Sequence, residues 1–167
     1  MPISNELKQL YASSGDDVIL NTLELNHPSW QNPFFIVQDW QDLTADLEVT
    51  GTTVVFEKYA FGFSGPDNNE RGTQSINITF DSVSGVLVDL LETAMLDMTN
   101  TPITVIYRIY LDSDKTAPQN NPPLRLSMRK VKVDLKKITG RAEVVSLINR
   151  KFPNEKYDDT FSGIINL

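Results

Sequence analysis

Alternation dominates the hydrophobic pattern of this chain. Ile76, Ile78 and Phe80 are separated by Asn77 and Thr79, and Ile103, Val105, Tyr107, Ile109 and Leu111 repeat every second residue along a longer run. A two-residue period sends one set of side chains to one face of a strand and the other set to the opposite face. Apolar segments at residues 18–25, 34–40 and 54–59 predict three further strands, each set off by turn formers. Leu124, Leu126 and Met128 alternate on even positions, whereas Val131, Val133 and Leu135 fall on odd ones. That change of phase at Arg129-Lys130 predicts a β-bulge, which lets both halves of a strand keep the same buried face.

One segment changes period. Val83, Val86, Leu87, Leu90, Leu91, Ala94 and Met95 recur at spacings of three and four, with Asp89 and Glu92 opposite, and predict a helix stopped by Asn100 and Pro102. Val88 and Leu96 fall on its polar side, so a second face is expected to be partly covered. A short helix capped by Ser4 is predicted at the start, and Val144, Val145, Leu147 and Ile148 predict a short helix or turn near the end. Six or seven strands with one strong helix between two of them predict a mainly β fold. The expected form is a β-sandwich or partly closed barrel with a flanking helix, a single domain over residues 1–167 with a C-terminal tail.

Composition narrows function mostly by exclusion. The 167 residues suffice for a sizeable core, and no apolar run approaches the ~18–20 residues of a membrane span. The first residues lack the basic-then-apolar order of a signal peptide. With no Cys, disulfides, thiolate zinc sites and Cys nucleophiles are excluded. His27 is the single histidine, lies beside Pro28, and has no Gly-x-Ser-x-Gly elbow to serve, so it reads as structural. Asp112-Ser113-Asp114 and Asp67-Asn68-Asn69-Glu70 cluster oxygen atoms without the ligand spacing of an EF-hand, and read as solvated loops. Neither Gly-x-Gly-x-x-Gly nor a Walker-type loop occurs. The expectation is a non-enzyme without metal or cofactor.

Charge is distributed unevenly. Residues 1–100 carry 3 Lys or Arg against 15 Asp or Glu, and residues 101–167 carry 12 against 7. The positive charge concentrates from Arg125 onward, through Arg129, Lys130, Lys132, Lys136 and Lys137. A net charge of -7 argues against a free-standing nucleic-acid binder, and the basic stretch has no interleaved aromatics for base stacking. It reads as a solvated strand face or an ion-pairing interface. Trp30, between His27-Pro28-Ser29 and Gln31-Asn32-Pro33, is the aromatic expected at an interface, whereas Phe34, Phe35 and Trp40 are expected in the core.

The run Asn21-Thr22-Leu23-Glu24-Leu25-Asn26-His27-Pro28-Ser29-Trp30 resembles the opening of an uncharacterised family of tailed-phage tail proteins. The similarity continues through residues 42–48 and 103–111 and ends with Leu147-Ile148-Asn149-Arg150-Lys151-Phe152-Pro153, Tyr157 and Phe161. Near the end, where the family pattern has Pro-Gly, this chain has Ser162-Gly163. The resemblance implies a virion component at the tail tip, made in the bacterial host cytoplasm, with a β-sandwich related to the tail-tube fold. It implies a homo-oligomeric ring of six copies between tail tube and hub. Its implied neighbours are the tail tube, tape measure and tail hub proteins, with DNA passing through without specific binding. On this reading Arg125, Arg129, Lys130, Lys132, Lys136, Lys137, Trp30, Phe152, Tyr157 and Phe161 are interface candidates. The alternative expectation is a carbohydrate- or receptor-binding sandwich of the tail tip that uses Trp30 and loop aromatics; a cell-wall enzyme ranks behind both.

Overall fold

The computed structural model describes residues 4–12, 17–48, 51–64, 75–81, 85–97, 101–134 and 136–144. Over these residues the alternating segments form β1 (Ile19–Asn26), β2 (Phe34–Val37), β3 (Leu43–Asp46), β4 (Thr53–Lys58), β5 (Phe61–Ser64), β6 (Ser75–Asp81), β7 (Ile103–Leu111), β8 (Leu124–Val133) and β9 (Lys137–Val144). Two helices accompany them, α1 (Asn5–Ala12) and α2 (Gly85–Leu96). The strands join in one mixed sheet of order β3-β4-β2-β1-β7-β8-β9-β6-β5. Its β2–β4 ladder is parallel, at Ile36↔Glu57 and Val37↔Lys58.

That order forces the sheet to curl. In a flat sheet β4 and β5 would lie seven strand spacings apart, about 34 Å at ~4.8 Å each. The chain nevertheless passes from Lys58 to Phe61 through Tyr59 and Ala60 alone, a reach of at most about 11 Å. The two ends of the sheet must therefore meet. At this seam Gln38, just past β2, donates its Nε2 to Phe61 O of β5 at 2.7 Å. The fold is thus mainly β, a partly closed sheet with a helix on its flank.

The main core lies inside the curl. Leu23, Leu25, Ile36, Ile78, Phe80, Val105, Leu126, Met128 and Ile138 point into it, joined by Leu87 and Leu91 of α2. Phe63 of β5 meets Tyr107 of β7 across this space, ring centroids 5.2 Å apart. A second layer covers the outer face of β1 and β7. There Leu43, Ala45 and Phe56 of the β3–β4 hairpin bury against Leu20, Val37 and Tyr110. β1 and β7 are consequently covered on both faces, and they pair from Ile19↔Leu111 to Asn26↔Thr104. In α1 the Ser4 hydroxyl accepts from Leu7 N–H at 3.1 Å as an N-cap, while Leu7 packs on Ile109 and Leu111.

The expected bulge is present as a register shift between Met128 and Lys130. Several boundaries differ from expectation. β2 ends at Val37, and Trp40 is 91% exposed instead of buried. Val86 and Met95, placed on the buried stripe of α2 by their spacing, are exposed, because the helix meets the sheet through Leu87 and Leu91 with Val88, Leu90 and Ala94 beside them. Val144 is itself part of β9. Val145, Leu147, Ile148 and Asp67-Asn68-Asn69-Glu70 lie outside the described residues.

Candidate functional site

The outer face of β8 and β9 gathers most of the basic candidates. Leu126, Met128, Ile138 and Ala142 are buried, so their neighbours along each strand point away from the core. Arg125, Arg129, Lys130, Lys132, Lys136 and Lys137 are all exposed. The register sets Lys130 opposite Arg141, Lys132 opposite Thr139, and Lys137 opposite Asp81. Two cations facing each other across a ladder repel, at a cost of a few tenths to ~1 kcal/mol, and an anionic partner relieves that cost. Internal relief among the described residues is slight. Lys132 Nζ lies 3.8 Å from Asp134 Oδ2 in a solvent-facing pair of small worth, and the half-buried Arg141 has its Nε 3.8 Å from Glu143 Oε1, too long for a hydrogen bond. Beneath this face, Gly140 leaves the room that the Met128 thioether occupies, since a Cβ there would overlap its sulfur.

A buried ionic cluster lies one strand away, under the β3–β4 hairpin. Arg108 of β7 is 2% exposed. Its Nη1 sits 2.7 Å from Glu24 Oε2, while its Nε and Nη2 donate to the two Glu48 oxygens at 2.6 and 3.2 Å. Burial alone would raise the Glu48 pKa, but the hydrogen bonds and charge of Arg108, its own backbone N–H and the more distant charge of Arg125 together hold it below the ordinary value. The Arg108 pKa is raised: burial works against its charge, and Glu48 and Glu24 outweigh burial. Tyr110 closes the cluster by donating its hydroxyl to Asp46 O at 2.8 Å. This is a pinned structural triad that holds the hairpin to the sheet.

The remaining candidates separate. Trp30 is 8% exposed, and its Nε1 donates to Leu90 O at 2.8 Å, so the residue expected at an interface instead joins the core to α2. His27 is buried beside it. Ser29 N–H donates to His27 Nδ1 at 3.2 Å, which leaves Nε2 to donate to Thr101 O at 3.1 Å. Asp114 Oδ1 accepts from Thr116 N–H at 3.0 Å and from its hydroxyl at 2.6 Å, and these bonds lower its pKa. Asp112 pairs with Lys115 at 2.9 Å. That loop spends its carboxylates on itself, and no group of three or more metal-binding side chains forms among the described residues. Phe152, Tyr157 and Phe161 lie outside the described residues.

Sequence reasoning missed a groove of about 700 Å³ at the seam. Trp40 stands at its lip, with Gly62, Thr79, Asp39, Asp81 and Lys58 around it. Its sequence signal was weak but present: Asp39, Gln41 and Asp42 flank Trp40, and that polar company fits a solvent-facing position better than a buried one.

The sequence matches a family model, a domain of unknown function (DUF1833), over residues 5–157. No curated protein matches the chain.

Proposed function

The chain belongs to the DUF1833 family, and from that footing we propose that it is a structural, non-enzymatic protein that assembles with copies of itself into a ring at a phage tail tip. The ring joins tail tube to hub and lines the passage for DNA. The observation that carries this reading is the cationic outer face of β8 and β9, where Lys130 opposes Arg141 and has no ion-pair partner among the described residues. A face that repels itself within one subunit favours an acidic surface on another. Exposed acids are available elsewhere on the same subunit, at Asp89 and Glu92 of α2 and at Asp39, Asp42 and Glu57 near the seam. Two unlike patches on one subunit make a head-to-tail contact, the kind that closes into rings. Charge complementarity would fix the register of that contact more than its strength. The resemblance to tail proteins, with their flanked β-sandwich, supports the same reading.

The test reverses three charges together, Lys130→Glu, Lys132→Glu and Lys137→Glu, in the chain supplied during particle assembly. The subunit is expected to melt close to the parent temperature. Lys130→Glu turns a repulsion with Arg141 into an attraction, while Lys132→Glu and Lys137→Glu set like charges against Asp134 and Asp81 at exposed positions, where each such contact costs less than ~1 kcal/mol. Electron microscopy is expected to show particles without a completed tail tip. Normal tails containing the variant would sink the proposal.

A further inference from the structure

The groove at the seam is built differently from the cationic face. Trp40 is 91% exposed, yet the loop that carries it is fastened on both sides. Gln38 N–H donates to Asn21 O at 2.9 Å, and the Gln38 side chain donates to Phe61 O at 2.7 Å while accepting from Asn21 Nδ2 at 3.2 Å. Beyond the indole, Asp42 Oδ1 accepts from Lys58 N–H at 2.9 Å, and Asp39 Oδ1 accepts from Trp40 N–H at 2.7 Å. The backbone that carries the indole is therefore fixed before any ligand arrives, which lowers the share of the ordering cost that falls on the loop.

The surroundings narrow the ligand class. Gly62 of β5 contributes no side chain, and a Cβ there would meet nothing within 4 Å. Around that open floor the lining includes Asp39, Asp81, Thr79 and Lys58. Tyr59, Ala60 and Phe61 add apolar surface beside the indole, but two acidic side chains, a lysine and a threonine share the same lining, a mixture that suits an amphipathic ligand better than a lipid chain. A nucleic-acid strand would bring phosphates towards two carboxylates. A pyranose ring has one face of C–H groups that suits an indole, and hydroxyls at its rim that suit a mixture of acceptors and donors.

We propose that this groove is a binding site for a neutral saccharide, with one sugar ring stacked on Trp40 and its hydroxyls bonded to Asp39, Asp81, Thr79 and Lys58. The site is complete within one chain and needs no ring partner to form, although it shares Asp39 with the acidic surface near the seam.

The experiment uses the full chain on an array of neutral oligosaccharides built from glucose, galactose and N-acetylglucosamine, followed by titration of the sugars retained. Trp30 is buried and Trp40 exposed, so iodide quenching reports Trp40. A bound sugar is expected to shield that emission. Trp40→Ala is expected to weaken binding roughly tenfold or more, the equivalent of a single stacking contact. Gly62→Leu, whose Cβ meets nothing within 4 Å, is expected to fill the floor and block binding, and both variants should melt with the parent chain. Failure of every sugar to bind at millimolar concentration overturns the proposal, as does binding that both variants retain. Shielding of Trp40 that grows with protein concentration and ignores sugar assigns the groove to a second copy of the chain, and also overturns it.

Discussion

Replacing Arg108 by Met tests the buried cluster most directly. Methionine keeps much of the apolar stem, so the loss reports charge and hydrogen bonding more than a cavity. Removing one partner of a buried ionic group leaves the others uncompensated, typically at 3–5 kcal/mol. The Glu24 and Glu48 side chains retain 11% and 22% exposure, which places the expected loss near the lower end, about 3 kcal/mol. At ~2.1 cal/mol/K per residue, a 167-residue chain has an unfolding entropy of about 0.35 kcal/mol/K, so the melting temperature should fall by about 9 °C. The pH dependence carries a second signature. In the parent, the folded-state pKa of Glu48 is lowered, so its contribution is complete above the ordinary carboxylate range and is lost as pH falls through that lowered value. In the variant, two carboxylates face each other without a cation, and protonation relieves them. Calorimetry from neutral pH to below about pH 4 should therefore show the gap between parent and variant shrinking. Adding Glu24→Gln and Glu48→Gln to the variant should recover much of the loss at neutral pH. A gap below ~1 kcal/mol, or one that does not change with pH, would refute the claim that this triad pins the hairpin.

Two further outcomes follow from the packing. Gly140→Ala drives a methyl group into the Met128 thioether and should cost about 1–3 kcal/mol, with part of it recovered when Met128→Ala is added; additive losses in a denaturant cycle would contradict the overlap. Tyr107, whose hydroxyl donates to Asn21 Oδ1 at 2.7 Å, is pushed up to about 12 by burial, with a smaller contribution from Tyr11. The stability linked to it is present below the ordinary value of ~10 and is lost as pH rises towards 12, so a phenolate absorbance titration should show Tyr107 ionising late, with Tyr110 later still; complete ionisation near 10 in the folded chain would contradict it.

The strands that were legible are those whose inward residues are large. β1, β6, β7 and both halves of β8 announce themselves through Leu, Ile, Val and Phe at every second position, and the phase change in β8 reveals its bulge. β9 stayed hidden because its inward positions are Ile138, Gly140 and Ala142, with the volume missing at Gly140 supplied by Met128 from the next strand. β5 is four residues long and follows β4 after two, too short an interval for a period to show. Strand order depends on pairings such as Thr22↔Arg108, which local pattern does not encode. The two tryptophans exchanged roles for a related reason: Trp30 sits in a polar loop but finds Leu90 O across the fold, while Trp40 follows an apolar strand that ends three residues before it. On the candidate face, the signs of charge were readable from sequence. The opposition of Lys130 and Arg141 was not, since it arises only from the β8–β9 register.

The placement of β1 beside β7 also bears on how the chain is made. β1 cannot acquire its full complement of backbone partners until Leu111 has left the ribosome, because its ladder runs from Leu111 to Thr104. During that interval β1 can join β2, β4 and β3 in a four-stranded unit, but the edge that β7 will cover stays open. Pairings of such long sequence separation slow folding and lengthen the time during which strand edges lie exposed. The nascent chain is thus most prone to mispairing with its neighbours on a polysome before residue 111 emerges, and the arrival of β7 is the event that ends that period.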